Sequence, residues 1–375
     1  MPDDEPDYRL PASFPSAVYR IFDAARTALS PGSILVAWMV VLGLDLTGQL
    51  VDEILPSEGV RTRPLLTTWL SRFGPGQNLL IADLEIGDIL LSPWRSVINP
   101  AMVALQTGSS TLARFNGLLL FVVALAAWSL VGVVLCRRAA MLLNQHDQST
   151  FISAIRYAIR RWMRVLRAPL IPLGAALVIG CLIAVLGMPG RLPAMGAVWL
   201  QVTAPIVTAL GFGIAVLVLA TAIGWPLMVA AISTDDCDSF GGLSRAYSGL
   251  TGRPWHAAVY VILGGIAGCG VMLLVAAIAR TTIWCCLSAT SFGSGSATAF
   301  SGLKPVLTRL VEDLVRGVGA SCFWSIATVI SLLLRREIDG VPIDRVALDD
   351  DQRPERVPLP VVGIPATDAA VKPAD

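Results

Sequence analysis

An ionisable side chain inside an apolar stretch is the first place to look for chemistry, because a charge at membrane depth is costly and often functional. Asp45 is such a residue. It follows the uncharged run from Ile34 to Leu44, and Gln49, Asp52 and Glu53 continue on the same helical face. Two readings stay open for it: a polar seam that could serve transport, or the outer end of a span whose remaining acids lie in the interface. Arg280 stands at a comparable depth late in another apolar stretch, and an ion pair between Asp45 and Arg280 is expected.

Other constellations carry less. The two histidines, His146 in NQHDQ and His256 after Trp255, have no partner at a metal-ligand spacing such as H-x-x-x-H. The nucleophile elbow G-x-S-x-G, the P-loop, H-E-x-x-H and G-x-G-x-x-G are all absent. Seven cysteines, at 136, 181, 237, 269, 285, 286 and 322, form no C-x-x-C and fall mostly in apolar segments, where cysteine acts as a small hydrophobe. Cys285 and Cys286 are the one pair open to oxidation. Asp83, Glu85 and Asp88 could gather a cation, although a solvated acidic face is the simpler reading. Asp235, Asp236 and Asp238 precede a helix start, where Asp238 or Ser239 would serve as N-cap. No cofactor and no metal ion is expected.

The strongest basic signal is FISAIRYAIRRWMRVLR, in which Arg156, Arg160, Arg161, Arg164 and Arg167 run beside an apolar face with no acid among them. Such a stripe suits anionic lipid at a cytoplasmic membrane surface better than nucleic acid. Gly264 and Gly268 form G-x-x-x-G, which lets helices approach closely in lipid.

These residues need elements to hold them, and composition says which. Of 375 residues, 55% are hydrophobic and 15% charged, against about 25% charged in an ordinary soluble domain. A chain this apolar fits lipid as its solvent. A spanning helix needs about 20 mainly apolar residues. Stretches largely free of charge predict an all-α, polytopic transmembrane helical bundle with about six spans: 33–55, whose apolar part is too short to cross unless it continues through Asp45, then 115–136, 168–188, 206–232, 256–283 and 317–334. Pro205 suggests a break that leaves 192–205 shallow or re-entrant. The Ser/Gly-rich stretch after Cys286 reads as a loop.

Arginines cluster so that six spans place both termini in the cytoplasm of a bacterial inner membrane. Amphipathic elbow helices precede the odd-numbered spans. The first puts Phe14, Val18, Ile21, Phe22, Ala25 and Leu29 on one face. Phe151, Arg156 and Arg164 share their spacing with Phe240, Arg245 and Arg253, a match easily accidental at this length. Residues 1–32 form a cytoplasmic N-terminus, without the basic region of a signal peptide. Residues 56–114 form an extracytoplasmic loop unit. Residues 115–336 complete the bundle, and 337–375 read as a disordered cytoplasmic tail.

Five short stretches resemble those of a known group. APLIPL at Ala168, GWPLM at Gly224, DSFGGLSRAYS at Asp238, RPW at Arg253 and LLRREIDG at Leu333 are similar to a family of uncharacterised multi-pass membrane proteins from planctomycete-type bacteria. A looser likeness runs to the membrane region of membrane-anchored glycerophosphodiesterases, whose catalytic domain this chain lacks. The resemblance implies topology and no activity. The resulting expectation is a non-enzymatic structural, assembly or accessory membrane component. A transporter or channel-like protein using the seam on the first span is the alternative.

Overall fold

The computed structural model describes residues 14–55, 83–106, 108–143, 151–192, 195–294 and 297–343. Among them the secondary structure is helical throughout. In chain order the helices are α1 (Phe14–Ala28), α2 (Pro31–Ile54), α3 (Asp83–Leu90), α4 (Ser92–Leu105), α5 (Thr111–Leu143), α6 (Phe151–Gly187), α7 (Gly196–Asp235), α8 (Ser239–Gly252), α9 (Pro254–Ser294) and α10 (Ala297–Asp339). Six of them, α2, α5, α6, α7, α9 and α10, are long and apolar enough to cross a membrane.

The bundle is built around α10. Its most apolar window is 83% buried, whereas that of α7 is 6% buried. Trp324 of α10 lies at the centre, edge-on to Trp225 of α7 at 5.3 Å and near Trp128 of α5 at 6.4 Å. Gly132 of α5 sits flat against the Trp324 ring, where a Cβ would come within 3.0 Å. Large aromatic groups interlocked with small residues supply the close packing that association needs in lipid.

Three helices run further than their sequence suggests. The basic stripe of 151–167 is not a separate elbow lying on the surface. It continues into the span as one helix, α6, and Pro169 and Pro172 lie inside it. Likewise Pro205 makes no break, since α7 runs from Gly196 to Asp235 through Pro205 and Pro226. The Ser/Gly-rich stretch stays helical to Ser294. A proline removes one hydrogen bond and bends a helix without ending it where packing supports both sides.

Two elbows are discrete, and α1 packs on the bundle through only part of its apolar face. Ile21, Ala24 and Ala28 are buried, while Phe22 and Leu29 are exposed. Small alanines let α1 lie close along α10, and Ser321 Oγ donates to the Ala28 carbonyl at 2.7 Å. The tail begins later than expected. Arg335 Nη2 donates to the Pro342 carbonyl at 3.1 Å, and Ile343 is buried in the core. Residues 56–82 of the loop unit and 344–375 of the tail lie outside the described residues.

The largest departure is α3–α4. The expected extracytoplasmic unit instead sends a helical hairpin into the bundle, with Ile86, Ile89, Leu90 and Val97 buried. Gly319 of α10 meets the Ile89 carbonyl, and Gly268 of α9 meets both Leu90 and Ile326. Ile326 stands midway along α10 between Arg316 and Arg335, so the tip reaches about half the depth of the bundle. Irregular backbone at such depth is tolerated only where protein surrounds it.

Candidate functional site

Charged side chains gather in two layers. Arg316 and Arg335 mark them on α10. They are 19 positions apart, which at about 1.5 Å per residue gives about 28 Å, close to the roughly 30 Å hydrocarbon core.

The arginine-rich layer is the more elaborate. Asp235, in the last turn of α7, is nearly inaccessible and lies between Arg245 of α8 and Arg335 of α10. Asp236 follows in a left-handed conformation, φ 52°, which aspartate accepts more readily than bulkier residues. That turn aims its carboxylate at α6, where Arg161 Nη2 donates at 2.5 Å and Arg164 Nη1 at 3.4 Å. Arg137 of α5 is buried, stacks on the Tyr157 ring at 4.4 Å and donates to the Ser233 carbonyl at 3.2 Å. A cation suits the final turn of a helix, where unpaired carbonyls carry partial negative charge. Asp238 caps α8 by accepting from the Gly241 N–H at 2.8 Å. Arg253 pairs with Glu337 at 2.8 Å, and the Tyr260 hydroxyl donates to Glu337 at 3.3 Å.

This layer divides the basic stripe. Arg161 and Arg164 turn to Asp236, whereas Arg156, Arg160 and Arg167 are exposed. Arg164, Arg245 and Arg253 meet different acids, and Phe151 lies against Arg138 while Phe240 is exposed. Of the matched positions, Phe151 and Phe240 thus differ in surroundings, and Arg164 and Arg253 differ in partner.

The opposite layer contains Asp45. Its cation is Arg316, at 2.8 Å, and not Arg280. Arg316 also meets Asp313 at 3.3 Å, with Glu312 buried alongside. Close approach makes this possible, since a Cβ on Gly317 would come within 2.9 Å of the Trp38 backbone of α2. At the same end Asn116 of α5 donates to the Leu55 carbonyl at 2.9 Å, satisfying an end of α2. Three carboxylates and one guanidinium therefore gather within about one helix turn where α2 meets α10.

The hairpin is tied from both sides. Asp88 and Arg95 pair across its tip at 2.5 Å. Trp128 Nε1 donates to Ser96 Oγ at 2.7 Å, and Trp94 Nε1 donates to the Ala222 carbonyl at 2.8 Å. The second bond has a sequence cause. In α7 the Ala222 carbonyl would normally accept from residue 226, but that residue is Pro226 and has no N–H. Trp94 supplies the missing donor.

Gly264 and Gly268 both face Ile326 of α10, and a Cβ on either would come within 3.0 Å of it. Cys285 and Cys286 are exposed thiols, and His256 is exposed. His146 lies outside the described residues. Among the described residues no group of three or more His, Cys, Asp or Glu side chains is placed to hold a metal ion. The fold and its two charged layers define a polytopic helical membrane protein. No family model, curated protein or solved structure matches this chain.

Proposed function

We propose that this chain is a non-enzymatic structural or accessory component of a bacterial inner membrane, with the arginine-rich layer and both termini on the cytoplasmic side. The observation that carries the reading is the arrangement of the converging charges. Asp235, Asp236 and Glu337 each join helices distant in sequence, so they serve to fix the ends of the bundle. Arg137, Arg138, Arg335 and Arg336 at one end agree with a cytoplasmic side. Arg156, Arg160 and Arg167 extend the same end toward anionic lipid headgroups.

Purification in mild detergent from the native membrane tests the reading. The expected outcome is a defined complex of larger mass than the chain, and reporter fusions after Asp339 active only in the cytoplasm. A pure chain that moves solute across proteoliposomes would overturn it. That result would favour a transporter, a reading that draws on the re-entrant α3–α4 hairpin and the carboxylates around Arg316.

A further inference from the structure

A cavity of about 310 Å³ opens beside the hairpin tip. Its walls come from Leu90, Leu91 and Trp94 of the hairpin, from α7 around Pro226, from α9 at Gly264 and Gly265, and from α10 at Phe323 and Ile326. The Trp94 N–H on this wall is already bonded to the Ala222 carbonyl. A ligand that fits must therefore be apolar, and the volume is at the lower end of ligand-sized pockets.

Two features give its orientation. The mouth is bordered by Leu91, Ile223 and Val261, which are 39%, 48% and 51% exposed, while Ile326, Ala327 and Ile330 are buried at the floor. It therefore opens sideways between α7 and α9, where the bundle faces lipid. Its depth follows from α9. Val261 and Gly265 lie eight and twelve positions beyond Arg253 in the arginine-rich layer, about 12 and 18 Å at the helical rise. Half of the hydrocarbon core is about 15 Å. A chain anchored among headgroups at that layer ends at the cavity.

We propose that this cavity binds one acyl chain of a phospholipid from the arginine-rich leaflet, entering between α7 and α9 and ending against the hairpin tip. The site stands independently of the scaffold reading. Because one wall is the hairpin, an occupied cavity holds α3–α4 in place by packing.

The test uses the full chain in phosphatidylcholine vesicles carrying a mid-chain diazirine lipid. Illumination should attach lipid to Leu91, Trp94 or Phe323. Gly265 lines the cavity and has no atom within 4 Å of where a Cβ would stand, so a side chain there starts into open space and Gly265→Trp serves as the plug. Gly270 is also unobstructed and lies outside the cavity, which makes Gly270→Trp the control. Labelling at the three residues should be lost in Gly265→Trp and kept in Gly270→Trp. If Gly265→Trp does not fold, the wild-type adduct map decides by itself, with Gly265→Leu as the smaller plug. Adducts only on outward residues such as Val178, Val216 and Leu219, or cavity adducts unchanged by the plug, would overturn the proposal.

Discussion

Replacing Trp94 by phenylalanine removes one N–H and keeps most of an aromatic ring, so it isolates the bond to Ala222. In the wild type that carbonyl has lost its helical donor to Pro226 and accepts from Trp94 instead. Without the indole it is left unpaired. An unsatisfied buried acceptor costs about 1–3 kcal/mol, and hydrogen bonds between membrane helices measure about 0.6 and at most about 1.7 kcal/mol. Trp94→Phe should therefore destabilise by about 1–2 kcal/mol, a factor of roughly 10 in the folding equilibrium. Pro226→Ala restores a backbone N–H at that position, and the helix then satisfies Ala222 by itself. In that background the indole N–H becomes redundant, and Trp94→Phe should cost only its small packing loss. The double-mutant cycle should show a coupling of about 1 kcal/mol, within the range seen for residues sharing a partner. Titration with denaturing detergent, read by circular dichroism, measures all four stabilities. Equal costs of Trp94→Phe in the two backgrounds would refute the shared-carbonyl argument, because ring packing alone is insensitive to residue 226.

Three further outcomes are expected. Arg316→Met should lower folded yield more than Asp45→Asn, because Arg316 also faces Asp313 beside the buried Glu312; fluorescence-detected size exclusion ranks the two, and the reverse order would show that Arg316 does not hold the cluster. Asp235→Ala removes a nearly inaccessible acid that two arginines share and should cost about 3–5 kcal/mol, whereas Arg245→Ala, at the exposed partner, should cost under about 1 kcal/mol; thermal melting in detergent compares them. Gly264→Ala places a methyl 2.5 Å from Ile326 and should destabilise by about 1–3 kcal/mol, while Gly265→Ala, with open space, should be near neutral in the same melts.

The spans were legible because lipid imposes one rule, about 20 residues nearly free of charge, and α5, α6, α7, α9 and α10 announce themselves by it, while α2 needed the allowance of a span that runs on through Asp45. What escaped followed from the same rule. At 8 and 14 residues, α3 and α4 are too short to register as spans, so a segment with polar ends reads as a loop. The signal was present in the apolar run NLLIADLEIGDILL, broken by Ser92-Pro93, with a proline at the first turn of α4. Pro205 and the arginines through Arg167 suggested helix ends that continuous backbone bonding ignores. At the sites, residue type was informative and pairing was not. Asp45 stood out as an acid needing a cation, but several arginines lay at suitable depth, and only the glycine at 317 brings α2 close enough to α10 to choose Arg316. Asp235 and Asp236 were visible as helix-end residues; that they hold four arginines depends on how α6, α8 and α10 meet, which local sequence does not encode.

The position of α10 has a consequence for how the protein is made. Of the six spans, the helix that the others surround is the last to leave the ribosome. Until Trp324 arrives, Gly132 and Trp225 have no ring between them, Asp45 has no guanidinium, and the α3–α4 hairpin lacks the wall that Gly319 provides. The five earlier spans must wait in the bilayer without their common wall, and the bundle closes in one late step around α10. A chain truncated shortly before Gly317 would be inserted yet unassembled, with its buried acid and its small-residue faces turned toward lipid and open to membrane quality control.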